Sequence, residues 1–551
     1  MDHPPKRRRV GTDEHSQDGT SPTSDLLPHS LTQPVSPPRR KARPQQIAPT
    51  IIIPDDEPAV SSSAVEEQAT QRQVFKSPFQ LTWIRDLPES ANTDAVTLSD
   101  LLSDPLISEL YEFNYLHDID FLMAALDEDV RDSVRVHVVH GFWKKEDPSR
   151  SQMIKQAQRY KNVQLHCASM PGPWGTHHSK MLIVLRHDDT AQVVIHTANM
   201  IERDWTNMTQ SLWRSPLLPL RQPAQTTNNI QDATLAIGSG ERFKRDLLNY
   251  LKAYNRTRPV IPELVKDLEK YDFSAVKAAV IASVPGHHQI YNKADDTKWG
   301  WAALKDTLRH VSVQEGKSEI VVQISSIATL GSTDSWLRGS LFQSLKASKN
   351  KVKQEPQFKV VFPTPDEIRR SLDGYNSGAS IHTKIQSTQQ AKQLQYLKPM
   401  LHHWANDAEQ GPAPEAGVEV HEAGRQRAAP HIKTYIRYGE TSVDWALTTS
   451  ANMSKQAWGS AVGNKTGEVW IASWEIGVLV WPSLFANNAR MVGTFGQDTP
   501  NENETSTGAG AVVGLRIPYN VPLQAYGADE KPWVATASYF EPDDMGQRWV
   551  S

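Results

Sequence analysis

The stretch "HSKMLIVLRHDDTAQVVIHTANM" (178–200) decides how this chain is read, because it has a second copy, "HIKTYIRYGETSVDWALTTSANM" (431–453). In each, a His-x-Lys pair opens an apolar run, a short polar turn follows, and a second run closes on Ala-Asn-Met. His178 stands 21 residues before Asn199, and His431 stands 21 residues before Asn452. A tryptophan follows each Asn by six residues, at Trp205 and Trp458. Agreement at His, Lys, Ala-Asn-Met and Trp together marks two copies of one unit, each supplying a His, a Lys and an Asn. The apolar runs read as strands on either side of a turn.

A third His-x-Lys, "IHTK" (381–384), fails this comparison. "IQSTQQAKQLQYL" follows it, polar and then helical, with no strand pair and no closing Asn, so it reads as a surface coincidence. The repeat also separates the two histidines of "GTHHSK" (175–180). His178 holds the shared register, whereas His177 faces the other side of an extended chain and reads as structural.

Residues i and i+2 share a face of a strand, so His178 projects with Lys180 and His431 with Lys433. Two such sets around one cavity bring together two imidazoles, two ammonium groups and two amides. That set suits a tetrahedral, multiply charged phosphate oxyanion. The lysines offset charge on its oxygens, and Asn199 and Asn452 donate neutral hydrogen bonds. Imidazoles titrate near neutrality and can serve as nucleophile and as general acid. A lysine beside each histidine would repel a cation, so no metal and no other cofactor is expected at this site.

The 551 residues are enough for two or three domains with a large buried core. No apolar run approaches the about 20 residues of a membrane helix, and the polar, basic N-terminus carries no secretory signal. Cys167 is the only cysteine, which excludes an intrachain disulfide and a cysteine-based metal site. The net charge of −4 argues against a bulk nucleic-acid coat but leaves room for a local basic groove.

Residues 1–77 are rich in Pro, Ser, Gln and charge and poor in aromatics, which reads as a disordered tail. Its clusters "PPKRRRV" (4–10) and "PPRRKARP" (37–44) resemble nuclear import signals, so a nuclear location is expected. Strand-like segments such as "VRVHVVHG" (134–141), "EIVVQISS" (319–326) and "FKVVFP" (358–363) alternate with helical patterns such as "RSQMIKQAQRY" (150–160) and "ERFKRDLLNYLKAYN" (241–255). This alternation predicts an α/β class with layered sheets and helices. The turn-rich stretch 283–300 suggests a boundary, giving expected domains 78–290 and 291–551, one repeat in each.

Two His-x-Lys…Asn motifs in one chain resemble the phospholipase D superfamily. That superfamily usually has an Asp a few residues past the Lys, but the fifth residues after Lys180 and Lys433 are Leu185 and Tyr438. With that departure, and with "GTHHSKM", "VVIHTANMIERDW", "PHIKTY", "TSANMSKQAWG" and "WEIGVLVWP", the chain resembles the tyrosyl-DNA phosphodiesterases from about Pro78 onward. The resemblance implies two similar α/β/α sandwich domains with the active site between them. It implies metal-independent hydrolysis of a 3′-phosphotyrosyl bond between DNA and a topoisomerase I peptide, and of other 3′ adducts, by a monomer acting on single-stranded and duplex 3′ ends. His178 would be the nucleophile, and His431 the general acid and then base. Lys180, Lys433, Asn199 and Asn452 would hold phosphate oxygens, and Gln210 and Glu475 would orient the histidines. Trp174 would stack on a base, and Tyr115, Ser325, Ser326 and Ser454 would contact the DNA backbone. The rival readings are another nuclease or lipid phosphodiesterase of the superfamily, and a non-enzymatic DNA-end-binding scaffold.

Overall fold

The apolar runs of each repeat form an antiparallel strand pair: Met181–Arg186 with Thr190–His196, and Thr434–Tyr438 with Val443–Thr449. The computed structural model describes residues 73–550 apart from 173, 223–234, 255–259, 293–295, 409–418, 463–466 and 507–509. The expected tail 1–77 lies outside the described residues up to residue 72, with both basic clusters, and its end is ordered rather than disordered, since Val74–Phe75 pairs with Val512–Val513.

Around each pair the chain builds the same sheet. In the first half, Ile107–Phe113, Arg135–His140 and Val163–Cys167 run parallel, and Met181–Arg186 joins them antiparallel beside Ile107–Phe113. In the second, Glu319–Gln323, Gln357–Val361 and Leu401–His402 run parallel, and Thr434–Tyr438 joins antiparallel beside Glu319–Gln323. A further antiparallel strand follows each Ala-Asn-Met: Ser211–Arg214 in the first half and Glu475–Val480 in the second. Met181 lies opposite Ile195 and Thr434 opposite Thr448, so the strand register repeats as the sequence does. Among the described residues the first sheet has eight strands and the second ten. Ala279–Ser283 completes the second sheet against Glu475–Val480.

Side-chain alternation assigns the layers. Along Met181–Arg186, Met181, Ile183 and Leu185 enter a core shared by both halves, and Leu182 and Val184 enter one on the outer face of the first sheet. From the second half, Ile436, Ala446, Ile476 and Val478 join the shared core, and Tyr435, Leu447 and Leu479 enter the opposite outer core. Burial of each Val, Leu, Ile or Met among these contributes about 1.5–3 kcal/mol, and a one-residue slip would exchange the two sets, so the register is strongly specified. Because the inner layer is common, the strand ends of both halves meet at one cleft.

Helices cover the sheets where the 3.6-residue period predicts them. Gly240–Lys252 starts at Ser239, whose hydroxyl accepts the Arg242 N–H, and it buries Phe243, Leu247, Leu248 and Leu251 along one face. Its Tyr250, with Tyr254 just beyond it, points toward the first His-x-Lys segment. Part of the turn-rich stretch is ordered as a strand, Gly286–Gln289, paired with Glu468–Ile471 in a small three-stranded sheet. Among the described residues no helix is long and apolar enough to cross a membrane.

Candidate active site

Each histidine is held by the opposite half. Gly175 lets the first segment approach the second half closely, because a Cβ there would lie 1.9 Å from the Ala472 carbonyl oxygen. Thr176 N–H then donates to Ser473 Oγ (3.1 Å), Trp474 N–H donates to the Thr176 carbonyl (2.9 Å), and His178 N–H donates to the Trp474 carbonyl (3.0 Å). In the other direction, His431 N–H donates to the Thr209 carbonyl (3.1 Å). The residues after Trp474 and Thr209 are Glu475 and Gln210, which reach the rings. His178 Nδ1 donates to Glu475 Oε2 (2.9 Å), and His431 Nδ1 lies 3.1 Å from Gln210 Nε2. Glu475 and Gln210 hold equivalent places: Thr449 pairs with Gly477 as His196 pairs with Leu212. Fixing Nδ1 leaves each Nε2 for chemistry.

The strands begin at Met181 and Thr434, just past each His-x-Lys pair, whose histidines spend their N–H groups on the opposite half. The segment is still extended, and its alternation holds. His177 Nδ1 donates to the Asn114 carbonyl (2.7 Å), its Nε2 meets Tyr254 Oη (3.0 Å), and Ser179 Oγ meets Tyr250 Oη, all away from the cleft.

One functional residue escaped the sequence reading. Asp204 is fully buried, with Oδ2 3.1 Å from His431 Nδ1 while also accepting the Asn199 N–H (2.7 Å). Burial alone would raise its pKa, but His431 and the Asn199 N–H hold it below the ordinary carboxylate range. The comparison of repeats selects shared residues, and Ala457 occupies the matching place in the second copy. An acidic residue directly before a buried Trp was the available sign.

The lysines lie beneath the cleft floor rather than on its wall. Lys180 and Lys433 are both fully buried, and each ammonium donates to the carbonyl of its own histidine, from Lys180 at 3.1 Å. Burial pushes Lys180 down to about 8, against the opposing pull of Glu475 and Asp204. Burial, and then Lys180, drive Lys433 well below the lysine range. Burial likewise lowers His178, and takes His431 to about 3 with Lys433 adding to the effect. An empty cleft thus disfavours every positive charge in it, and a bound phosphate oxyanion would reverse that penalty.

Asn452 Oδ1 accepts the N–H groups of Ser325 (3.0 Å) and Ser326 (2.9 Å), which leaves its Nδ2 to donate. The Asn199 amide lines the cleft with no hydrogen-bond partner for its Oδ1 among the described residues. Ser454 also lines the cleft, and its hydroxyl accepts the Ala457 N–H as the N-cap of Lys455–Trp458. Trp174 is 83% exposed at the cleft mouth, which rules out plain core packing for it. The Tyr115 ring lies 5.7 Å from the His178 ring and also lines the cleft. His382, read from sequence as a surface coincidence, lines it too, because its backbone bridges to Ser326.

The result is a cleft of about 310 Å³ with two oriented imidazoles, two amides and two buried ammonium groups converging on it. Among the described residues no cluster of three or more His, Cys, Asp or Glu side chains has the arrangement to hold a metal ion. The positive charge beneath the floor belongs to the lysines, and the arrangement fits nucleophilic attack on a phosphodiester with general acid assistance.

Comparison with known proteins bears on this site. The family model described as tyrosyl-DNA phosphodiesterase matches residues 78–527. The chain is 30% identical over 551 residues to a probable tyrosyl-DNA phosphodiesterase of Schizosaccharomyces pombe, covering 88% of this chain and 97% of that one. It is 29% identical to tyrosyl-DNA phosphodiesterase 1 of Arabidopsis thaliana, covering 88% and 78%. Among solved structures, that of the yeast tyrosyl-DNA phosphodiesterase superposes with a TM-score of 0.56 at 20% identity, over 83% of this chain and 98% of that one, which establishes a common fold.

Proposed function

This chain belongs to the tyrosyl-DNA phosphodiesterase family, and from that premise we propose that it releases topoisomerase I-derived tyrosyl peptides, and other blocking groups, from DNA 3′ ends through a phosphohistidine intermediate. His178 Nε2 attacks the phosphorus. The bond to the tyrosine oxygen breaks, and that oxygen takes a proton from His431 Nε2. His431 then accepts a proton from water as the water attacks the phosphohistidine, which frees His178 and leaves a 3′-phosphate. Lys180, Lys433, Asn199 and Asn452 stabilise the oxygens of both transition states.

The observation that carries this reading is the crossed clamp, in which Glu475 orients His178 while Gln210 and Asp204 orient His431. Exposed Trp174 supports base stacking by a single strand, and the hydroxyls of Ser325, Ser326 and Ser454, with Tyr115, support contacts to its backbone. Both histidines come from one chain, so a monomer suffices. The basic clusters at 4–10 and 37–44 support action in the nucleus.

The test is a gel assay of 3′-phosphotyrosyl single-stranded DNA in excess EDTA. Wild type leaves a 3′-phosphate product, and His178→Ala leaves the substrate intact. His431→Asn accumulates a protein–DNA adduct on denaturing gels. Unchanged turnover by His178→Ala, or full loss of wild-type activity in EDTA, would sink the mechanism.

A further inference from the structure

The third His-x-Lys segment is part of the cleft, and its neighbours give it a purpose. Arg203 directly precedes Asp204, the carboxylate on His431. Its guanidinium donates to Ser380 Oγ (3.0 Å) and, at 3.4 Å, to the Asn376 carbonyl. Two residues beyond Ser380, His382 N–H donates to the Ser325 carbonyl (2.9 Å), and the His382 carbonyl accepts from Ile327 N–H (2.9 Å). Arg203, Ser380 and His382 therefore line one continuous wall together with His431. Lys384 is exposed and shares the His382 face, as i and i+2 do on extended backbone.

No carboxylate among the described residues balances the cations of this wall. Among the described residues, Arg203 and Lys384 have no carboxylate within ion-pair distance, and the His382 ring has no hydrogen-bond partner. The carboxylates closest to the chemistry are engaged elsewhere, Asp204 on His431 and Glu475 on His178. The wall also has two ends. Thr176 and Ser473 join next to His178, whereas Arg203 directly precedes the Asp204 that holds His431, and His382 lies close enough to Lys433 and Arg203 to feel their charge. An in-line displacement sends the departing group away from the nucleophile and toward the acid, which is the end where the cations stand.

We propose that Arg203, His382 and Lys384 form a leaving-group subsite that selects adducts carrying carboxylates beside the linked tyrosine. The proposal rests on the reading that His431 protonates the departing group. A guanidinium with free N–H donors takes a carboxylate through paired hydrogen bonds, and Lys384 adds a second positive charge. A peptide with lysines in those places meets like charge and is rejected.

The test uses the full chain and 3′-phosphotyrosyl oligonucleotides whose peptides differ only in the two residues flanking tyrosine, as Glu, Gln or Lys. An unflanked tyrosine adduct serves as the reference. Wild type favours the Glu peptide over the Lys peptide by about tenfold in kcat/KM, the scale of one hydrogen bond to a charged group. Arg203→Gln combined with Lys384→Gln contracts the ratio to within about twofold, and Lys384→Gln alone, at an exposed position that leaves the fold intact, gives an intermediate ratio. A wild-type ratio near one, or a ratio unchanged in both variants, overturns the subsite. Equal losses on all peptides that grow with oligonucleotide length also overturn it, in favour of a DNA contact. If even unflanked tyrosine is not released, the functional reading falls and the subsite falls with it. If it is released without discrimination, the subsite falls alone.

Discussion

His178 and His431 occupy equivalent places in the two repeats, yet their partners differ: a glutamate on one, an aspartate and a glutamine on the other. A carboxylate against Nδ1 favours the protonated ring, and Asp204 opposes the burial and the Lys433 charge that together still hold His431 down to about 3. Asp204 therefore supports the proton that the leaving oxygen receives. Asp204→Asn is expected to lower kcat on a tyrosyl substrate by about 100-fold or more, within the range of general acid catalysis. On a p-nitrophenyl adduct, whose oxygen leaves without a proton, the loss should be at most a few-fold. Parallel losses on both substrates would mean that Asp204 only maintains structure. The pH profile belongs to the same scale. Lys180 is pushed down to about 8 in the empty cleft, and only its charged form attracts phosphate. We expect kcat/KM to fall as pH rises through about 8, because the free enzyme then loses that charge. The limb in kcat should lie at higher pH, since a bound phosphate raises the ammonium. A kcat/KM that stays flat to pH 10 would contradict this.

At the scale of elements, one short helix serves two purposes. Ser454 caps Lys455–Trp458, a segment that buries Trp458 against Tyr435, and it also lines the cleft. Ser454→Ala should cost about 1 kcal/mol of stability, read as a lower denaturant midpoint at unchanged slope. Ser454→Asp keeps a cap acceptor but sets a carboxylate where a phosphate oxygen would lie. It should retain near wild-type stability while raising KM for the oligonucleotide more than tenfold. If Ser454→Asp bound DNA normally, the serine would be a cap and nothing more. The strand pairs are simpler, because their apolar alternation and polar turns were plain in the sequence. Their first residues were not, since the backbone N–H groups of His178 and His431 are claimed by Trp474 and Thr209.

At the scale of the whole molecule, two halves share one inner core, and burial there places two ammonium groups beneath a single cleft in a chain of net charge −4. Burying two ammonium groups costs stability, and a bound anion offsets that cost. Inorganic phosphate should therefore raise the melting temperature of wild type, with about 2.7 kcal/mol of stabilisation at 100 times its Kd. Lys433→Met should melt higher than wild type without phosphate and respond less to it. An equal phosphate response in both would place the anion elsewhere. The repeat, the His, Lys and Asn of each copy, and the family were all legible in the sequence. They are carried by local patterns, namely fixed offsets, i to i+2 alternation and apolar runs, which recur wherever the same unit recurs. Other features were decided by tertiary structure alone: Asp204 on His431, the lysines under the floor, Ser325 and Ser326 on Asn452, and His382 in the cleft wall. Each depends on which residues the sheets bring together across long separations, 297 positions in the case of His178 and Glu475. Such contacts are set by the packing of one half on the other or, for Ser325, Ser326, His382 and Asn452, of distant segments within the second half, which no local spacing encodes.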